Sequence, residues 1–297
     1  MKKLIVRIAE GLGNQLFMYS HAYALSKKLG YTLFLDNKSG YFKNKNSLRN
    51  YELDKFHISA SICDQNDKFD TYSKDLKRKM LKIFDLIKIN KSFYIEKTDK
   101  NKTTLYHDLS NHKFSNKLIV EGYFQSEKYF ANYSNDLKNQ FKIKNDFHNN
   151  SKKYIDLLNK NNSVSICIRQ NRYSEGKIKN NNKSNKFTQD TINYVKRSVL
   201  FFKDKIDNPV FFIWSNDFQN LSEYFNKKDF IFIKNTENKS LNDFNLFTHT
   251  KHFIVGPTPF HWWGAWLNDN KNKICLRPKD INPSSNIDFW PNDWISI

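Results

Sequence analysis

The chain has 297 residues, of which 16% are aromatic, and a formal net charge of +19. This length suffices for one large or two medium domains, and the 26 phenylalanines exclude a disordered polycation. The positive charge favours acidic partners such as nucleic acid, an anionic membrane or a phosphorylated ligand, without choosing among them.

Cysteine spacing and hydropathy predict a cytoplasmic protein. Cys63, Cys167 and Cys275 fit neither a disulfide framework nor a zinc site, which favours a reducing compartment. The first 15 residues contain only a short apolar run, which argues against a signal peptide, and no run of 18 apolar residues predicts a membrane span. Peripheral contact with the cytoplasmic membrane is left open.

The first segments predict a βαβ unit. Residues 3–8 have the composition of a short buried strand, and a glycine-bearing turn follows them. Residues 14–29 carry apolar side chains at helical spacing, and Gly30 can close this helix. Residues 31–36 predict a second strand. This order of elements is typical of an α/β fold.

Residues 40–115 contain one clear pattern, an amphipathic helix. Leu76, Met80, Ile83, Phe84 and Ile87 recur at helical spacing among lysine and arginine residues. The pattern has two interpretations: an ordinary helix whose apolar face packs on the core, or a helix that contacts a membrane surface or an anionic glycan. We favour packing on the core.

From residue 161 onward, strands and helices alternate. Strands are predicted at 163–169, 209–214, 230–233, 252–256 and 273–276, and helices at 188–206, 217–227, 241–250 and 260–269. The stretch 142–162 is polar and charged, so we divide the chain into α/β domains at 1–155, the acceptor side, and 156–297, the nucleotide side. A nucleotide is expected at the carboxyl ends of parallel strands, in a cleft between the domains.

The turn at residues 11–16 (GLGNQL) joins the first predicted strand to the first helix. Asp36 imitates the ribose-binding acid of a dinucleotide fingerprint, but Leu16 stands where that fingerprint requires a third glycine. This mismatch counts against an NAD-dependent oxidoreductase, which we keep as the weaker alternative. The helix N-terminus suits an anion or a sugar hydroxyl, with Asn14 either lining that site or serving as the N-cap.

Polar side chains lie at the ends of two predicted strands. Arg169 and Arg172 fall at the end of the first, and a planar, always charged guanidinium suits a diphosphate. The alternative is surface arginine in a basic protein, but the strand-end position favours binding. Ser215 and Asp217 follow the next strand, where they can contact a base or ribose. Asp217 can equally belong to the start of a helix.

The segment 255–266 (VGPTPFHWWGAW) runs from a strand through a turn into a helix. The N–H groups of the helix start, together with the Thr258 hydroxyl, form a candidate phosphate site. Of the three tryptophans in this segment, at least two are expected in the core. His249 and His252 form a conceivable metal pair, but ordinary structural placement is the better interpretation.

Six segments resemble a known family. They are GLGNQLFMYSHAYAL at 11–25, EGYFQSEKYF at 121–130, SICIRQNRY at 165–173, FIWSNDF at 212–218, DFNLFTHTKHFIVGPTPFHWWGAWLN at 243–268 and WPNDWISI at 290–297. In this order they resemble glycosyltransferase family 11, the α-1,2-fucosyltransferases.

The resemblance implies a GT-B-like fold, in which two Rossmann-like α/β domains face a cleft. It also implies inverting transfer of fucose from GDP-fucose to a glycan hydroxyl, with an α-1,2 linkage to galactose, in the synthesis of surface polysaccharide or lipopolysaccharide such as O-antigen. No metal or other cofactor is expected. A glycosyltransferase that uses another GDP-sugar is the alternative.

The resemblance also assigns residues. Arg169 would hold the diphosphate, Thr258, Phe260, His261 and Trp262 would line the phosphate and fucose pocket, Asp217 and Asp243 would lie near the nucleotide, and Asn14 would face the cleft. Two departures leave the donor sugar open. Cys167 replaces the histidine of the family motif, and residues 170–172 (QNR) stand where the family has Arg-Gly-Asp.

Catalysis would need a counter-charge and a base. Arg169 can offset the charge that grows on the leaving β-phosphate. Glu10, at the end of the first strand, is a candidate base, although the family does not usually place an acid there. An oxocarbenium-like path with little help from a base is the alternative. No nucleic-acid partner is expected, because the basic residues are scattered apart from 74–102 and no recognition motif is present.

Overall fold

The chain forms two compact units. The first contains Met1–Lys144 and Ser284–Pro291, and the second contains Asn145–Pro283 and Asn292–Ile297. The computed structural model describes residues 1–43, 49–99, 103–109, 112–144, 149–174, 179–234, 239–284 and 286–297. Residues 145–148 of the predicted boundary stretch lie outside this part.

The first unit is a parallel α/β sheet. Its elements are β1 (Lys3–Arg7), α1 (Leu12–Leu29), β2 (Thr32–Asp36), β3 (Ser61–Ile62), α2 (Tyr72–Asp85), β4 (Lys91–Ile95), β5 (Phe114–Glu121) and α3 (Ser134–Gln140). The strand order is β3-β2-β1-β5-β4. The middle of β1, Leu4 to Val6, is buried, as a central parallel strand with both faces covered requires.

The predicted βαβ unit is confirmed. β1 pairs in parallel with β2, from Lys3 opposite Thr32 to Arg7 opposite Asp36. Helix α1 between them ends at Gly30, whose φ of 70° is the left-handed conformation that glycine adopts without strain.

The second unit is also a parallel α/β sheet. Its elements are α4 (Asn149–Lys160), β6 (Asn162–Ile168), α5 (Asn181–Lys205), β7 (Pro209–Ser215), α6 (Leu221–Tyr224), β8 (Phe230–Phe232), α7 (Lys239–Thr248), β9 (His252–Ile254), α8 (Pro259–Leu267), β10 (Cys275–Arg277) and β11 (Ile295–Ser296). Helix α4 runs through the boundary predicted at residues 155 and 156, and it belongs to this unit.

The strand order of the second unit reverses at its centre. The order is β11-β10-β9-β6-β7-β8, so the chain leaves β6 toward β7 on one side and later returns to β9 on the other. In open parallel sheets, the crevice at the carboxyl ends of the strands on either side of such a reversal is the usual ligand site. The ends of β6 and β9 therefore define the expected binding edge.

The helix predicted at 217–227 is wrong. Only the short α6 forms, because side chains in the preceding loop bond to the local backbone instead. The N–H of Asp217 donates to Ser215 Oγ at 3.2 Å, and the N–H of Gln219 donates to the Asp217 carboxylate at 2.9 Å. Asn220 then takes a φ of 60°, which delays the helix start.

The packing predicted for the amphipathic helix, which is α2, is also wrong. The large apolar side chains of the pattern are exposed, from Met80 at 50% to Ile87 at 84%. The reason is that α2 turns its charged side inward: Asp75 is buried and its carboxylate accepts two hydrogen bonds from the Arg78 guanidinium. Among the helices that the structure describes, none is long and apolar enough to cross a membrane.

Candidate functional site

The predicted donor-site residues of the second unit lie at the carboxyl edge of its sheet. Arg169 directly follows β6, Ser215 ends β7, and Thr258 lies in the turn after β9. Because β6 is hydrogen-bonded to both β7 and β9, these positions come from three adjacent strands. Arg169 is partly buried and follows the central strand of the three.

The loop after β6 is fixed to the loop after β7. The N–H of Gln170 donates to Asn216 Oδ1 at 2.8 Å, and Asn216 Nδ2 donates back to the Gln170 carbonyl at 3.1 Å. Gln170 Nε2 also donates to the Asp217 carbonyl at 2.7 Å. Asn171, with a φ of 57°, donates to the Asp217 carboxylate at 3.4 Å. These bonds restrict the backbone on the C-terminal side of Arg169.

Ser215 joins the ends of β6 and β7. Its hydroxyl donates to the carbonyl of Ile168 at 2.9 Å, and the side chain is buried. In this structure Ser215 therefore holds the strand end next to Arg169 in place.

Arg172 spans from the β6 loop to the turn after β9. Its guanidinium donates to the carbonyl of Pro283 at 2.8 Å and to that of Pro257 at 3.3 Å. Its central carbon lies 5.3 Å from the centre of the Phe187 ring, a cation–π arrangement. Arg172 thus ties the two sides of the strand-order reversal together and brings a positive charge close to the turn.

The turn after β9 requires glycine. A Cβ atom on Gly256 would lie 2.1 Å from the carbonyl oxygen of Cys167, so only glycine lets this turn approach β6 so closely. Thr258 is the N-cap of α8, and its hydroxyl oxygen accepts a hydrogen bond from the N–H of His261 at 3.3 Å. Pro259 occupies the first turn, where its fixed φ favours helix initiation. The positive end of the α8 dipole therefore lies at the carboxyl edge.

His261 braces this turn from inside. Its side chain is fully buried, and the N–H of Gly256 donates to its Nδ1 at 2.9 Å. Nδ1 is thus the acceptor, which leaves the proton on Nε2, where it is donated to the hydroxyl of Ser165 at 2.9 Å. Burial lowers the pKa of His261 to about 3, so the ring is neutral at neutral pH.

Trp262 also faces the interior. Trp262 and Trp263 have no exposed area, and their ring centres lie 5.0 Å apart. The prediction that at least two of the three tryptophans belong to the core is confirmed. The structure therefore brings neither the Trp262 nor the His261 side chain to the protein surface.

Phe260 and Asp243 lie on α8 and α7, two helices that pack together. The Phe260 ring is partly exposed and lies 5.8 Å from the ring of Phe244, which follows Asp243 on α7. Asp243 itself is buried, with 6% of its surface exposed. The close crossing of the helices depends on Gly264, where a Cβ atom would lie 2.6 Å from the Phe247 ring.

Glu10, the candidate base, lies in the first unit after β1. Its φ of 64° is a left-handed conformation that costs a residue other than glycine about 1 kcal/mol or more. The surroundings hold it there: Gln15 Nε2 donates to its carbonyl at 2.8 Å, and the Tyr41 hydroxyl does so at 3.2 Å. Its carboxylate forms an ion pair with Arg49.

Asn14 is not the N-cap of α1. The helix begins at Leu12 with Gly11 as its N-cap, so the N-cap interpretation is wrong. Instead, the Asn14 side-chain oxygen accepts a hydrogen bond from Gln125 Nε2 at 2.6 Å. The other amide atom of Gln125 accepts from the hydroxyl of Ser284 at 2.5 Å. Asn14 therefore belongs to a polar chain within the first unit.

The structural interpretation of His252 is confirmed. Its Nδ1 accepts a hydrogen bond from the N–H of Ile274 at 3.1 Å, and burial lowers its pKa. Within the described ranges, no three or more histidine, cysteine, aspartate or glutamate residues are grouped so that they could hold a metal ion.

Comparison with known proteins decides the family. The family model for glycosyl transferase family 11 matches residues 3–295. The chain belongs to glycosyl transferase family 11. An α-1,2-colitosyltransferase of Escherichia coli is 26% identical over 306 residues, with 100% of this chain and 99% of the relative covered. The O-antigen biosynthesis glycosyltransferase WbnK of Escherichia coli is 26% identical and covers 96% of this chain and 98% of its own.

Solved structures agree with this family 11 chain in fold. The α-1,6-fucosyltransferase NodZ, soaked with GDP-fucose, aligns with a TM-score of 0.52 at 12% identity and covers 90% of this chain and 92% of its own. NodZ comes from Bradyrhizobium. POFUT1 in complex with GDP-fucose aligns with a TM-score of 0.50 at 10% identity, over 92% of this chain and 96% of its own. The predicted GT-B-like architecture of two parallel-sheet α/β domains is confirmed.

Membership of family 11 makes this protein a glycosyltransferase and excludes the oxidoreductase alternative. Sequence reasoning missed the bracing roles of Gln15, Ser165, Gln170 and Asn216. Asn216 gave the clearest signal, since it stands directly after a predicted strand. Ser165 bonds to the His261 ring and Gln170 to the loop after β7, and these partners are distant in sequence.

Proposed function

We propose that this family 11 enzyme transfers fucose from GDP-fucose to a glycan hydroxyl, with inversion at the anomeric carbon. One observation carries the proposal: Arg169 follows β6 and the capped start of α8 follows β9, on the two sides of the strand-order reversal. Such an edge suits a nucleotide diphosphate. The presence of GDP-fucose in the structures of NodZ and POFUT1 supports the same donor class.

In this proposal the diphosphate lies between Arg169 and the α8 N-terminus. The guanidinium can donate two parallel hydrogen bonds to phosphate oxygens, and the helix start adds backbone N–H groups and the Thr258 hydroxyl. The cation of Arg172, held at the same turn, raises the positive potential there. These protein groups supply the counter-charge, so no metal ion is required, and activity is expected to persist in EDTA.

Transfer breaks the bond between the anomeric carbon and the β-phosphate oxygen. The acceptor oxygen bonds to the anomeric carbon from the opposite face, its proton passes to a base, and GDP leaves with the bonding electron pair. Negative charge grows on the β-phosphate during this step. Arg169 lowers the activation barrier because its guanidinium interacts more strongly with the β-phosphate in the transition state than with the β-phosphate of the bound substrate.

The remaining predicted residues have secondary roles in the proposal. Asp217 is partly exposed, bonds to Gln170 and Asn171 in the loop after β6, and is suited to a ribose or base contact. Asp243 and Phe260 would border the donor where α7 meets α8. His261 and Trp262, being fully buried, would act as supports of the turn rather than as contacts.

Glu10 is the proposed base in the first unit, and Asn14 a polar neighbour on the acceptor side. The Glu10 carboxylate, the group that would accept the proton, forms an ion pair with Arg49. Glu10→Gly removes the acid and also relieves the left-handed backbone, so we expect unchanged or higher stability with kcat lowered by about 10²–10⁴. Glu10→Gln is the isosteric control. Full activity in both variants would favour the oxocarbenium-like path without a base.

GDP-colitose is the second candidate donor, because one relative of this family 11 chain is a colitosyltransferase. Colitose lacks the 3-hydroxyl of fucose. A site that hydrogen-bonds this hydroxyl rejects the deoxy sugar by about 10⁴ in kcat/KM, whereas a site shaped for colitose rejects fucose by only about 10². Residues 170–172 differ from the family motif, so GDP-fucose and GDP-colitose have to be compared directly as donors. The acceptor is proposed to be a surface glycan, as the name of WbnK indicates for that relative.

The test is a donor panel on the purified full chain. GDP-fucose, GDP-colitose, GDP-mannose, UDP-galactose and NAD are each compared by thermal shift and by consumption in the presence of galactose-terminated oligosaccharides. At a ligand concentration of 100 times Kd, we expect stabilisation by about 2.7 kcal/mol with GDP-fucose. A shift with UDP-galactose and none with any GDP-sugar would refute the proposed donor class. A shift with GDP-colitose that exceeds the one with GDP-fucose would select the second candidate.

A further inference from the structure

The inner face of α2 carries charged side chains that pair with one another and with the rest of the first unit. Arg78 donates to the Asp75 carboxylate at 2.7 Å and to the Glu121 carboxylate at 2.6 Å. Lys82 also pairs with Glu121. Asp85, near the end of the helix, accepts a hydrogen bond from the N–H of Ser92 at 2.7 Å. Leu81 also packs against the core of the first unit, so α2 is held there by ion pairs together with one partly buried leucine.

The outer face of α2 and the segment after it form a continuous apolar surface, which we call the α2 surface. Every member exposes between 50% and 87% of its area. The members are Tyr72, Leu76, Met80, Ile83, Phe84, Leu86, Ile87 and Ile89. A large group of neighbouring exposed apolar side chains is typical of an interaction site, whereas single exposed apolar residues are normal on a protein surface.

Lysines border the α2 surface on both sides. With about 100° of rotation per residue, Lys77 lies along one edge of the apolar stripe of α2 and Lys79 lies along the other. Lys88 follows in the segment after the helix. The acidic residues of the helix, Asp75 and Asp85, are buried on the inner face. The exposed side of the helix is thus apolar at its centre and positive at its margins.

We propose that the α2 surface binds the surface of an anionic phospholipid bilayer. Its apolar side chains would enter the boundary between headgroups and acyl chains, while Lys77, Lys79 and Lys88 would meet lipid phosphates. Charge favours an anionic bilayer over a second copy of the chain. Dimer formation through the α2 surface would bring the lysines of the two copies close together, where they would repel each other. The inference is independent of the donor site, since it concerns only the first unit.

The test is co-sedimentation of the full chain with vesicles of phosphatidylcholine, either pure or containing phosphatidylglycerol. We expect binding to the mixed vesicles, little binding to pure phosphatidylcholine, and loss of binding at high salt. The triple variant Leu76→Ser, Ile83→Ser, Ile87→Ser is expected to lower the partition coefficient by roughly a hundredfold. Leu200→Ser is the matched control, because Leu200 is a 69% exposed leucine on α5.

A second pair of variants isolates the charge. Lys77→Glu with Lys79→Glu should lower the partition coefficient by roughly tenfold or more. Lys203→Glu with Lys205→Glu carries the same change in net charge on α5 and should have at most about a twofold effect. Equal losses in both double variants, equal binding to both vesicle types, or no binding would overturn the proposal. So would a dimer in light scattering that the triple variant dissociates without any effect on vesicle binding.

Discussion

Helices α1 and α8 each bury a histidine, and the two rings differ in their hydrogen bonding. In α8, both ring nitrogens of His261 are hydrogen-bonded, to the Gly256 N–H and to the Ser165 hydroxyl. In α1, His21 stacks on Phe124 with ring centres 3.8 Å apart, and among the described residues neither of its nitrogens has a hydrogen-bond partner. Burial lowers the pKa of each ring to about 3.

The difference shows that burial and a shifted pKa do not define a histidine's role. His261 fixes the backbone turn that leads into the proposed phosphate site, so its polar atoms are essential there. The corresponding turn before α1 is fixed by Gln15, whose side chain bonds to the carbonyls of Glu10 and Asn50 at 2.8 Å each. His21 is thus left to pack as an aromatic ring.

Replacing each histidine with phenylalanine should separate the two roles. His261→Phe leaves the buried N–H of Gly256 and the hydroxyl of Ser165 without their partner, so we expect a loss of about 2–5 kcal/mol in the free energy of unfolding. His21→Phe removes two unsatisfied polar atoms and should be neutral or stabilising by about 1 kcal/mol. Urea denaturation measures both. Equal losses would contradict the distinction.

Acid should destabilise the protein through the same two rings. Both pKa values are about 3 in the folded state, against an ordinary value of 6.5, so below pH 6.5 the unfolded chain binds protons that the folded chain does not. Stability is therefore retained above pH 6.5 and falls as the pH decreases toward 3. Between pH 6.5 and pH 5 we expect a loss of about 3 kcal/mol.

The slope of this acid loss can be assigned to individual rings. His21→Phe should reduce the loss by about 1.5 kcal/mol between pH 6.5 and pH 5, because it removes one of the two most strongly depressed histidines. His249 and His252, whose pKa values burial also lowers, keep contributing. Denaturation at pH 7, 6 and 5 gives the slope. A slope identical to that of the wild type would contradict the pKa assigned to His21.

Two threonine N-caps allow a comparison in which the expected loss of stability is smaller and GDP binding separates the two sites. Thr258 caps α8, and Thr71 caps α2 by accepting from the N–H of Lys74 at 3.3 Å. Thr258→Ala and Thr71→Ala should each cost about 1 kcal/mol of stability. Only Thr258→Ala should also weaken GDP binding, because only that cap belongs to the proposed phosphate site. Weakened GDP binding in Thr71→Ala to the same degree would count against this assignment.

Much of the fold followed from the sequence because most of its strands are rich in apolar residues and are followed by turn residues. β1, β2, β6, β7, β8 and β9 were predicted within a few residues. β5 was missed because its first half, up to Lys117, is polar and exposed. Helix α4 was missed because its charged sequence was taken for a linker.

The orientation of side chains was the harder part. The apolar spacing of α2 predicted the helix correctly but not the face that is buried, since that choice depends on Glu121, a distant residue that pairs with Arg78. At the proposed donor site, the positions of Arg169 and Thr258 at strand ends were readable. The roles of Arg172 and His261 as braces were not, because Arg172 bonds to the carbonyl of Pro283 and His261 to the hydroxyl of Ser165, which are both distant in sequence.

The most direct test of the proposed donor site is calorimetric titration of GDP into the wild type and into Arg169→Ala, with Arg197→Ala as the control. Arg197 is an exposed arginine on α5 of the same unit. We expect Arg169→Ala to lose about 2–5 kcal/mol of binding free energy at unchanged stability, and Arg197→Ala to bind GDP as the wild type does. Near-normal GDP affinity in Arg169→Ala would show that Arg169 does not hold the diphosphate.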